Sequence, residues 1–324
     1  MEEFELIRKI IPTYYRQPSV VKGVGDDAFV FRSSEDIVFT TDTMVEEVHF
    51  SRKTMDTHAV GYRALAANVS DLAAMGSRPA FYSVSLVLTP DWTDEEILAL
   101  YDGMEQLAEK HSMDLVGGDT VSGSQTVVAI TAHGYLPPDK GRYRSDAEDG
   151  DVIFVTGTLG DSRGGLEELM NPGESVSGHL IARHRYPEPK AEFAAGLTSL
   201  SRLCLNDISD GIASEANEIA TASGVRLHLQ KEKVPVSEEL RNRYPDQAGE
   251  WALSGGEDFE LLGTVAPGEK EALLEKAREL DIRLTFIGTV SASDLPEVLL
   301  HSPQGTETLQ PTGYTHLKER RKRL

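Results

Sequence analysis

Acidic residues stand beside glycine, serine, threonine or asparagine in six short segments spread over the chain. In sequence order these are Gly25-Asp26-Asp27, Thr40-Thr41-Asp42, Asn68-Val69-Ser70-Asp71, Gly117-Gly118-Asp119, Asp207-Ile208-Ser209-Asp210-Gly211 and Gly255-Gly256-Glu257-Asp258. Small neighbours let a ligand approach the backbone closely, and unhindered carboxylates bind hard divalent cations. One such segment is usually only a turn or a helix cap. Six of them predict a shared site.

Carboxylates gathered in one cleft would repel a polyphosphate unless cations lay between them. Two like charges 4 Å apart repel by about 4 kcal/mol at an effective dielectric near 20. Mg²⁺ relieves this repulsion, because it takes one or two carboxylates and completes its octahedral shell with phosphate oxygens and water. Neighbouring serine and threonine hydroxyls can supply further oxygens. The pattern therefore predicts magnesium-dependent handling of a phosphate-bearing substrate.

Two familiar nucleotide-binding patterns do not fit. Residues 23–28 match the dinucleotide pattern G-x-G-x-x-G/A, but that pattern requires a helix directly after the glycines, and a β-rich run follows here. A P-loop is excluded because the sequence contains no Gly-Lys pair. The segment from Asn206 to Gly211 resembles a calcium loop only superficially, since Ile208 occupies a ligand position and the closing glutamate is missing.

Composition sets the class of protein. A chain of 324 residues usually forms two domains, and 40% hydrophobic with 26% charged residues is typical of a globular protein. The formal net charge of −21 makes nucleic-acid binding unfavourable. No apolar run reaches the roughly 18 residues of a membrane helix, and the first residues lack a secretory signal. Because Cys204 is the single cysteine, we expect a cytoplasmic protein that neither spans nor binds a membrane.

The elements that must position the acids form two α/β halves. In the first half the patterns predict strands at 28–31, 37–39, 82–88, 113–116 and 126–136, a helix at about 56–75, and a second helix after a capping box at Thr93. The first two acidic segments then lie at strand edges, and Gly117-Gly118-Asp119 follows the end of a strand. This is a mixed strand–helix unit of the ferredoxin-like kind.

The polar, proline-containing run at 137–141 marks a boundary. We therefore expect one domain at 1–137 and a second at 138–324. The second domain begins with a strand at 152–156 and contains a strand at 262–265, a helix at 267–281 and a strand at 284–290.

The motifs resemble one enzyme family along nearly the whole chain. They are Gly25-Asp26-Asp27-Ala28, Thr41-Asp42-Thr43-Met44-Val45, His49-Phe50, Asn68-Val69-Ser70-Asp71-Leu72-Ala73-Ala74-Met75-Gly76, Gly117-Gly118-Asp119-Thr120, Thr156-Gly157-Thr158-Leu159-Gly160, Asp207-Ile208-Ser209-Asp210-Gly211 and Ser254-Gly255-Gly256-Glu257-Asp258-Phe259-Glu260-Leu261. In this order they resemble the thiamine-monophosphate kinase family of the aminoimidazole ribonucleotide synthetase superfamily.

The resemblance implies a two-domain PurM-like fold and transfer of the ATP γ-phosphoryl group to thiamine monophosphate, which gives thiamine diphosphate and ADP. It also implies that the domain at 1–137 binds ATP and magnesium and forms a homodimer in which the first domains join their sheets, and that the domain at 138–324 completes the substrate cleft. The implied magnesium ligands are Asp27, Thr40, Thr41, Asp42, Asp71, Asp119, Asp207 and Asp210. The implied ATP-binding residues are Gly118, Asp119, Arg144 and Ser209, and those for thiamine phosphate are His49 and Glu257. No residue is expected to act as a catalytic nucleophile.

Two departures from the family pattern affect the thiamine end of the site. Glu46-Glu47-Val48 precedes His49, where members commonly have a glycine two positions before the histidine. Residues 311–314 stand where some members place a tryptophan, so Tyr314 is not assigned to the site.

Several other functions stay open from the sequence. Selenophosphate synthetase and the hydrogenase maturation relative need reactive sulfur at positions where this chain has none. Aminoimidazole ribonucleotide synthetase is the nearest rival enzyme, and a formylglycinamidine ribonucleotide assay would distinguish it. A non-catalytic nucleotide- or metal-binding protein is the alternative of a different class, and it would show no turnover.

Overall fold

The structure is a computed structural model that describes residues 9–24 and 29–312. These residues form two compact units, each of which is discontinuous in sequence. Unit 1 contains the described residues up to Arg142 together with Leu169–Pro172 and Arg185–Ser199, and unit 2 contains Tyr143–Glu168, Gly173–His184 and the described residues from Leu200 onward. The predicted domain limits at residues 137 and 138 stay a prediction. The polypeptide crosses from unit 1 to unit 2 after residue 142, and it returns to unit 1 for the segments 169–172 and 185–199.

The elements are numbered here in chain order. The strands are β1 (Val20–Lys22), β2 (Val30–Phe31), β3 (Asp36–Val45), β4 (Arg78–Leu88), β5 (Asp114–Ser122), β6 (Val127–Leu136), β7 (Val152–Thr156), β8 (Leu203–Asp207), β9 (Val225–Gln230), β10 (Leu261–Val265), β11 (Leu284–Ala292), β12 (Glu297–Ser302) and β13 (Gly305–Thr308). The α-helices are α1 (Thr57–Ala74), α2 (Asp94–His111), α3 (Asp161–Met170), α4 (Gly178–Arg185), α5 (Ala191–Ala195), α6 (Ile212–Ser223), α7 (Glu238–Arg243), α8 (Ala248–Ser254) and α9 (Lys270–Glu279). Short 3₁₀ turns lie at Lys231–Lys233 and Pro267–Glu269.

Unit 1 is built on a four-stranded sheet in the order β3-β6-β4-β5, in which only the β4–β5 pair is parallel. Helices α1 and α2 pack on each other and on one face of this sheet. Successive strand residues point to opposite faces. On β3, Thr40 and the buried Met44 therefore face the helices with Asp42, whereas Thr41 and Thr43 lie on the other face.

The predicted helices of unit 1 are confirmed, and their ends follow from local chemistry. Asp56 begins α1 by accepting a hydrogen bond from the Ala59 amide at 2.8 Å. Thr93 and Glu96 form the predicted capping box at the start of α2. Each motif satisfies backbone N–H groups that have no partner within the helix.

Two predicted strands are longer than the sequence patterns indicated. β3 continues to Val45, so Asp42 lies inside a strand and not at its edge. β5 continues to Ser122, so Gly117-Gly118-Asp119 lies within a strand and not after one. Glycine normally weakens a strand, but here it permits close approach, because a Cβ at Gly118 would lie 2.3 Å from the Val84 carbonyl oxygen of β4.

Unit 2 contains a seven-stranded sheet in the order β13-β12-β9-β11-β7-β10-β8. Only β12 and β9 pair in parallel. Helix α6 lies against this sheet, and its buried Ile212 and Ile219 join the core formed by the strands. The predicted strand at 152–156 is observed at those bounds, and the predicted strand–helix–strand run after residue 261 is confirmed as β10, α9 and β11. Within residues 9–24 and 29–312, no helix has both the length and the apolar character needed to cross a membrane.

Candidate functional site

A carboxylate pair lies where β3 meets α1 in unit 1. Thr40 Oγ1 donates a hydrogen bond to the Asp71 carboxylate. Asp42, two residues further along the same face of β3, also interacts with Asp71. The segments around residues 40 and 71 are 31 residues apart in sequence, and the packing of α1 on the sheet brings them together. Two of the predicted acidic segments therefore share one location.

The electrostatics of this pair favour a cation. The pKa of Asp42 is raised from its ordinary value to about 7, first by burial and then by the negative charge and hydrogen bond of Asp71. A carboxyl group that is hard to ionise beside another carboxylate is stabilised when a divalent ion neutralises both. With the Thr40 hydroxyl, the pair offers the hard oxygen donors that Mg²⁺ prefers.

The neighbouring predicted ligand Thr41 faces away from this pair. Its hydroxyl donates to the Ile130 carbonyl oxygen at 3.1 Å and accepts from the Thr131 hydroxyl at 3.3 Å, across the β3–β6 ladder. The Thr41 hydroxyl thus forms its hydrogen bonds with the neighbouring strand of the sheet. The alternation of side chains along a strand explains why Thr40 and Thr41 cannot share a face.

Asp119 is likewise separate from the pair. Gly118 and Thr120 face the helices, where Thr120 is hydrogen-bonded to Tyr101 of α2. Asp119 lies between them, is exposed, and pairs in register with Ser85 on the opposite face. Strand β5 is also at the far edge of the sheet from β3, with two strands between them. The structure therefore does not bring Asp119 to Asp42 and Asp71.

His49 lies in the turn that follows β3. Its Nδ1 accepts a hydrogen bond of 3.0 Å from the Val45 amide, so a neutral ring carries its proton on Nε2. Glu47 adopts a left-handed φ of 62° two positions earlier. Arg52 holds the same turn, because it forms ion pairs with Glu46 and with Glu96 of α2.

A second cluster lies at the end of β8 in unit 2. Arg144 Nε donates to Asn206 Oδ1 at 2.8 Å, and Asn206 Nδ2 donates to Glu215 Oε2 at 2.7 Å. The other oxygen of Glu215 accepts from the Asp210 amide at 3.0 Å and from the Ser209 hydroxyl at 3.3 Å. Three predicted site residues, Arg144, Ser209 and Asp210, are therefore joined by hydrogen bonds.

Sequence reasoning missed Glu215 and Asn206, which make these connections. Both are buried. Burial raises the pKa of Glu215 to about 7, the Asp210 N–H opposes this rise, and the charges of Glu218 and Asp210 add to it. The available signal was a glutamate in the first turn of the helix that follows Gly211. That position ordinarily indicates only a favourable interaction with the helix dipole.

The glycine-rich segment before Glu257 packs on the Ser209 loop. The Glu257 amide donates to the Ser209 carbonyl oxygen at 2.6 Å, and Glu257 has a left-handed φ of 64°. A Cβ at Gly256 would lie 2.6 Å from that same oxygen, so glycine is required there. Asp210, Ser209 and Glu257 thus belong to one small region of unit 2.

Two further acids of these motifs are buried. Asp207 is the last residue of β8. Asp258 accepts hydrogen bonds from the Gly160 and Ser162 amides at 2.6 and 3.1 Å, at the start of α3. Burial raises the pKa of Asp258 to about 7, and the N–H groups oppose that rise. Asp258 therefore has a structural role.

The predicted gathering of acids is only partly observed. Asp27 lies outside the described residues. Among residues 9–24 and 29–312, no three histidine, cysteine, aspartate or glutamate side chains are placed together as a metal site. What the described chain offers is the Asp42–Asp71 pair in unit 1 and the Asp210 region in unit 2. A pair is enough for Mg²⁺, which ordinarily takes one or two protein carboxylates.

Comparison with known proteins defines the class first. Residues 25–136 match the model of the AIR synthase related protein, N-terminal domain, and residues 148–301 match that of its C-terminal domain. These two matches confirm the predicted two-domain α/β superfamily fold.

Individual relatives narrow the class. A thiamine-monophosphate kinase from Bacillus subtilis is 41% identical over 326 residues, which cover 98% of this chain and 100% of the relative. The crystal structure of the thiamine-monophosphate kinase from Stenotrophomonas maltophilia matches with a TM-score of 0.83 at 33% identity, covering 93% of this chain and 96% of that one. A structure described as AaThiL complexed with AMPPCP and TMP matches with a TM-score of 0.77 at 32% identity over 91% and 92%. The chain belongs to the thiamine-monophosphate kinase family, as the motifs predicted.

Proposed function

We propose that this chain catalyses magnesium-dependent transfer of the ATP γ-phosphoryl group to thiamine monophosphate, with thiamine diphosphate and ADP as products. The observation that supports this most directly is the 41% identity to the Bacillus subtilis thiamine-monophosphate kinase along 98% of the chain. Six of the predicted site residues lie in two polar clusters: Thr40, Asp42 and Asp71 in unit 1, and Arg144, Ser209 and Asp210 in unit 2.

In this proposal Asp42, Asp71 and Thr40 hold magnesium in unit 1. Magnesium, when bound, neutralises charge on phosphate oxygens. The observation that favours this assignment is the raised pKa of Asp42, because two adjacent carboxylates without a counter-ion are unfavourable. Asp27, Thr41, Asp119, Asp207 and Asp210 stay proposed ligands on family resemblance.

The chain's other assigned residues would bind and orient the two substrates. Gly118, Asp119, Arg144 and Ser209 are proposed to bind ATP. His49, which can donate through Nε2, and Glu257 are proposed to bind thiamine monophosphate. Holding two anionic substrates in line is the main way in which proteins assist phosphoryl transfer.

The acceptor chemistry explains why no nucleophilic side chain is proposed. A phosphate monoester has its second pKa near 6, so its attacking oxygen is largely ionised at pH 7 and needs no strong base. Direct transfer then inverts the configuration at phosphorus. Stereochemical analysis with a chiral γ-phosphorothioate tests this, and net retention would contradict it.

We also propose a homodimer formed through the uncovered part of the unit 1 sheet face that lies opposite α1 and α2. On this face Phe39 is 61% exposed, Val121 is 49% exposed and Ile37 is 47% exposed. Exposed apolar side chains on one sheet face favour a protein partner. Light scattering should give a dimer mass, and Phe39→Asp should shift it toward the monomer. An unchanged dimer would exclude this face.

A reducing, cytoplasmic location is proposed from the single cysteine, Cys204, which is buried and forms no disulfide.

The enzymatic proposal is tested by incubating the purified chain with ATP, Mg²⁺ and thiamine monophosphate and separating the products by chromatography. Thiamine diphosphate should form in step with ADP, and its formation should stop when EDTA removes the metal. Formylglycinamidine ribonucleotide in place of thiamine monophosphate gives the rival superfamily reaction its own test. Binding of ATP without any turnover would instead favour a non-catalytic nucleotide-binding protein.

A further inference from the structure

A hydrogen-bonded chain of side chains links the proposed nucleotide-binding residue Arg144 to the Asp210 loop. Asn206 lies in its middle, with its carbonyl oxygen accepting from Arg144 Nε and its amide nitrogen donating to Glu215. Glu215 then accepts from the Asp210 amide and the Ser209 hydroxyl through its other oxygen. Asn206 and Glu215 are 1% and 3% exposed, so water does not substitute for these partners.

When Glu215 is ionised, the donors and acceptors of these side chains allow only one orientation of the Asn206 amide. Arg144 can donate but cannot accept, and an ionised Glu215 can accept but cannot donate. The Asn206 amide must therefore present its oxygen to Arg144 and its nitrogen to Glu215. If the amide turned over, it would place donor against donor at Arg144 and acceptor against acceptor at Glu215.

We propose that Glu215, acting through Asn206, is a positioning residue that holds Arg144 for ATP and, through its second oxygen, holds the Ser209-Asp210 loop. Glu215 itself need not touch either substrate. This inference rests on the proposed function for the identity of the nucleotide. Glu218 is a lesser partner, since it lies on the exposed side, 3.1 Å from Arg144 Nη1 and 3.5 Å from Asn206 Nδ2.

Substitution can separate the two sets of hydrogen bonds that Glu215 makes, one to Asn206 and the other to Ser209 and Asp210. Glu215→Gln keeps one acceptor oxygen for Asp210 and Ser209 but turns the other oxygen into an amide donor, which then faces the Asn206 amide donor. Either that contact breaks or Asn206 turns over and loses Arg144. Glu215→Ala removes both sets of hydrogen bonds.

Exchanging the amide and the carboxylate between positions 206 and 215 should restore the hydrogen bonds from Arg144 to residue 215. Asn206→Asp alone still accepts from Arg144 but places a second carboxylate against Glu215. When Glu215→Gln and Asn206→Asp are combined, the new amide donates to the new carboxylate, which also accepts from Arg144. The double variant has the same net charge as the wild type. Restoration in a double-mutant cycle isolates this pairwise interaction from general damage to the fold.

The experiment measures ATP binding to the full chain by calorimetry in the presence of Mg²⁺ and without thiamine monophosphate. Loss of a hydrogen bond to a charged group predicts about a tenfold weaker ATP Kd for Glu215→Gln. Asn206→Asp should also weaken ATP binding, because its carboxylate repels that of Glu215. The double variant should return to within about twofold of the wild type. Glu275→Gln, an exposed change of the same charge on α9, should leave the ATP Kd unchanged.

Steady-state kinetics give the second readout. Glu215→Gln should raise the KM for ATP and leave both the KM for thiamine monophosphate and the Mg²⁺ requirement unchanged. Glu215→Ala should also raise the Mg²⁺ concentration needed for half-maximal rate, because the Asp210 loop loses its anchor. A merely structural role would lower the melting temperature and the active fraction without this division between substrates.

The possible results have separate meanings. An unchanged ATP Kd in Glu215→Gln, or a double variant whose losses add, would overturn the positioning role. Wild-type protein that binds ATP but does not phosphorylate thiamine monophosphate would overturn the proposed function, while the Kd cycle still decides the role of Glu215. Wild-type protein that binds no ATP would overturn both.

Discussion

Replacing Asp42 by asparagine should stabilise the metal-free protein while abolishing its magnesium-dependent activity. The folded pKa of Asp42 is about 7 against an ordinary value of 3.8. Because the folded state holds its proton more tightly, the unfolding free energy falls as pH rises from about 4 to about 7. Above pH 7 the full penalty is present, with an upper limit of about 4 kcal/mol at roughly 1.4 kcal/mol for each pKa unit.

The asparagine side chain has the same shape as that of aspartate and carries no charge, so Asp42→Asn removes this penalty. Even half of the limit would raise the melting temperature of a unit of this size by about 4–8 °C. The assay is thermal unfolding in EDTA at pH 8 and again near pH 4, where the gain should vanish. Asp36→Asn, an exposed change on the same strand, is the matched control and should give no gain.

The wild type and the Asp42→Asn variant should also differ in how much Mg²⁺ stabilises them. Saturating Mg²⁺ should stabilise the wild type, because it binds the ionised pair. It should stabilise Asp42→Asn much less, and turnover of that variant should fall by several orders of magnitude. A variant that is less stable than the wild type in EDTA at pH 8, or that turns over normally, would refute the metal role of the Asp42–Asp71 pair.

Three further predictions concern unit 2. Arg144→Ala should raise the KM for ATP about tenfold with a smaller effect on kcat, and an unchanged nucleotide KM would remove Arg144 from the site. Asp210→Asn should leave the far-ultraviolet circular dichroism spectrum unchanged while turnover falls by orders of magnitude, so normal turnover would exclude a metal-binding role. Gly256→Ala should destabilise the protein by about 1–3 kcal/mol in urea unfolding, because its Cβ would lie 2.6 Å from the Ser209 carbonyl oxygen; a change below about 0.5 kcal/mol would show that the loop can move aside.

The sequence predicted best where local chemistry decides the structure. The capping box at Thr93 and the strand Val152–Thr156 appear as expected, since both depend on neighbours in sequence. The extents of β3 and β5 were underestimated, because Asp42 and Gly118 are unfavourable in an isolated strand. Pairing with β6 and β4 stabilises them, and this pairing is not visible in a local pattern.

The candidate site was predicted by residue type better than by arrangement. Asp42 and Asp71 do meet, but alternation along the strands places Thr41 and Asp119 on the opposite sheet face. Motif matching cannot give the face on which a residue lies when the strand limits are wrong. Glu215 was missed for a related reason, since a buried glutamate is tolerated only with partners that the fold supplies.

The most direct test of the proposed reaction is to follow a label from the γ-phosphate of ATP. The chain is incubated with γ-labelled ATP, unlabelled thiamine monophosphate and Mg²⁺, and the products are separated. Direct transfer predicts that the label appears in the terminal phosphate of thiamine diphosphate in proportion to the ADP formed. Label recovered only as inorganic phosphate, or remaining in ATP, would contradict it.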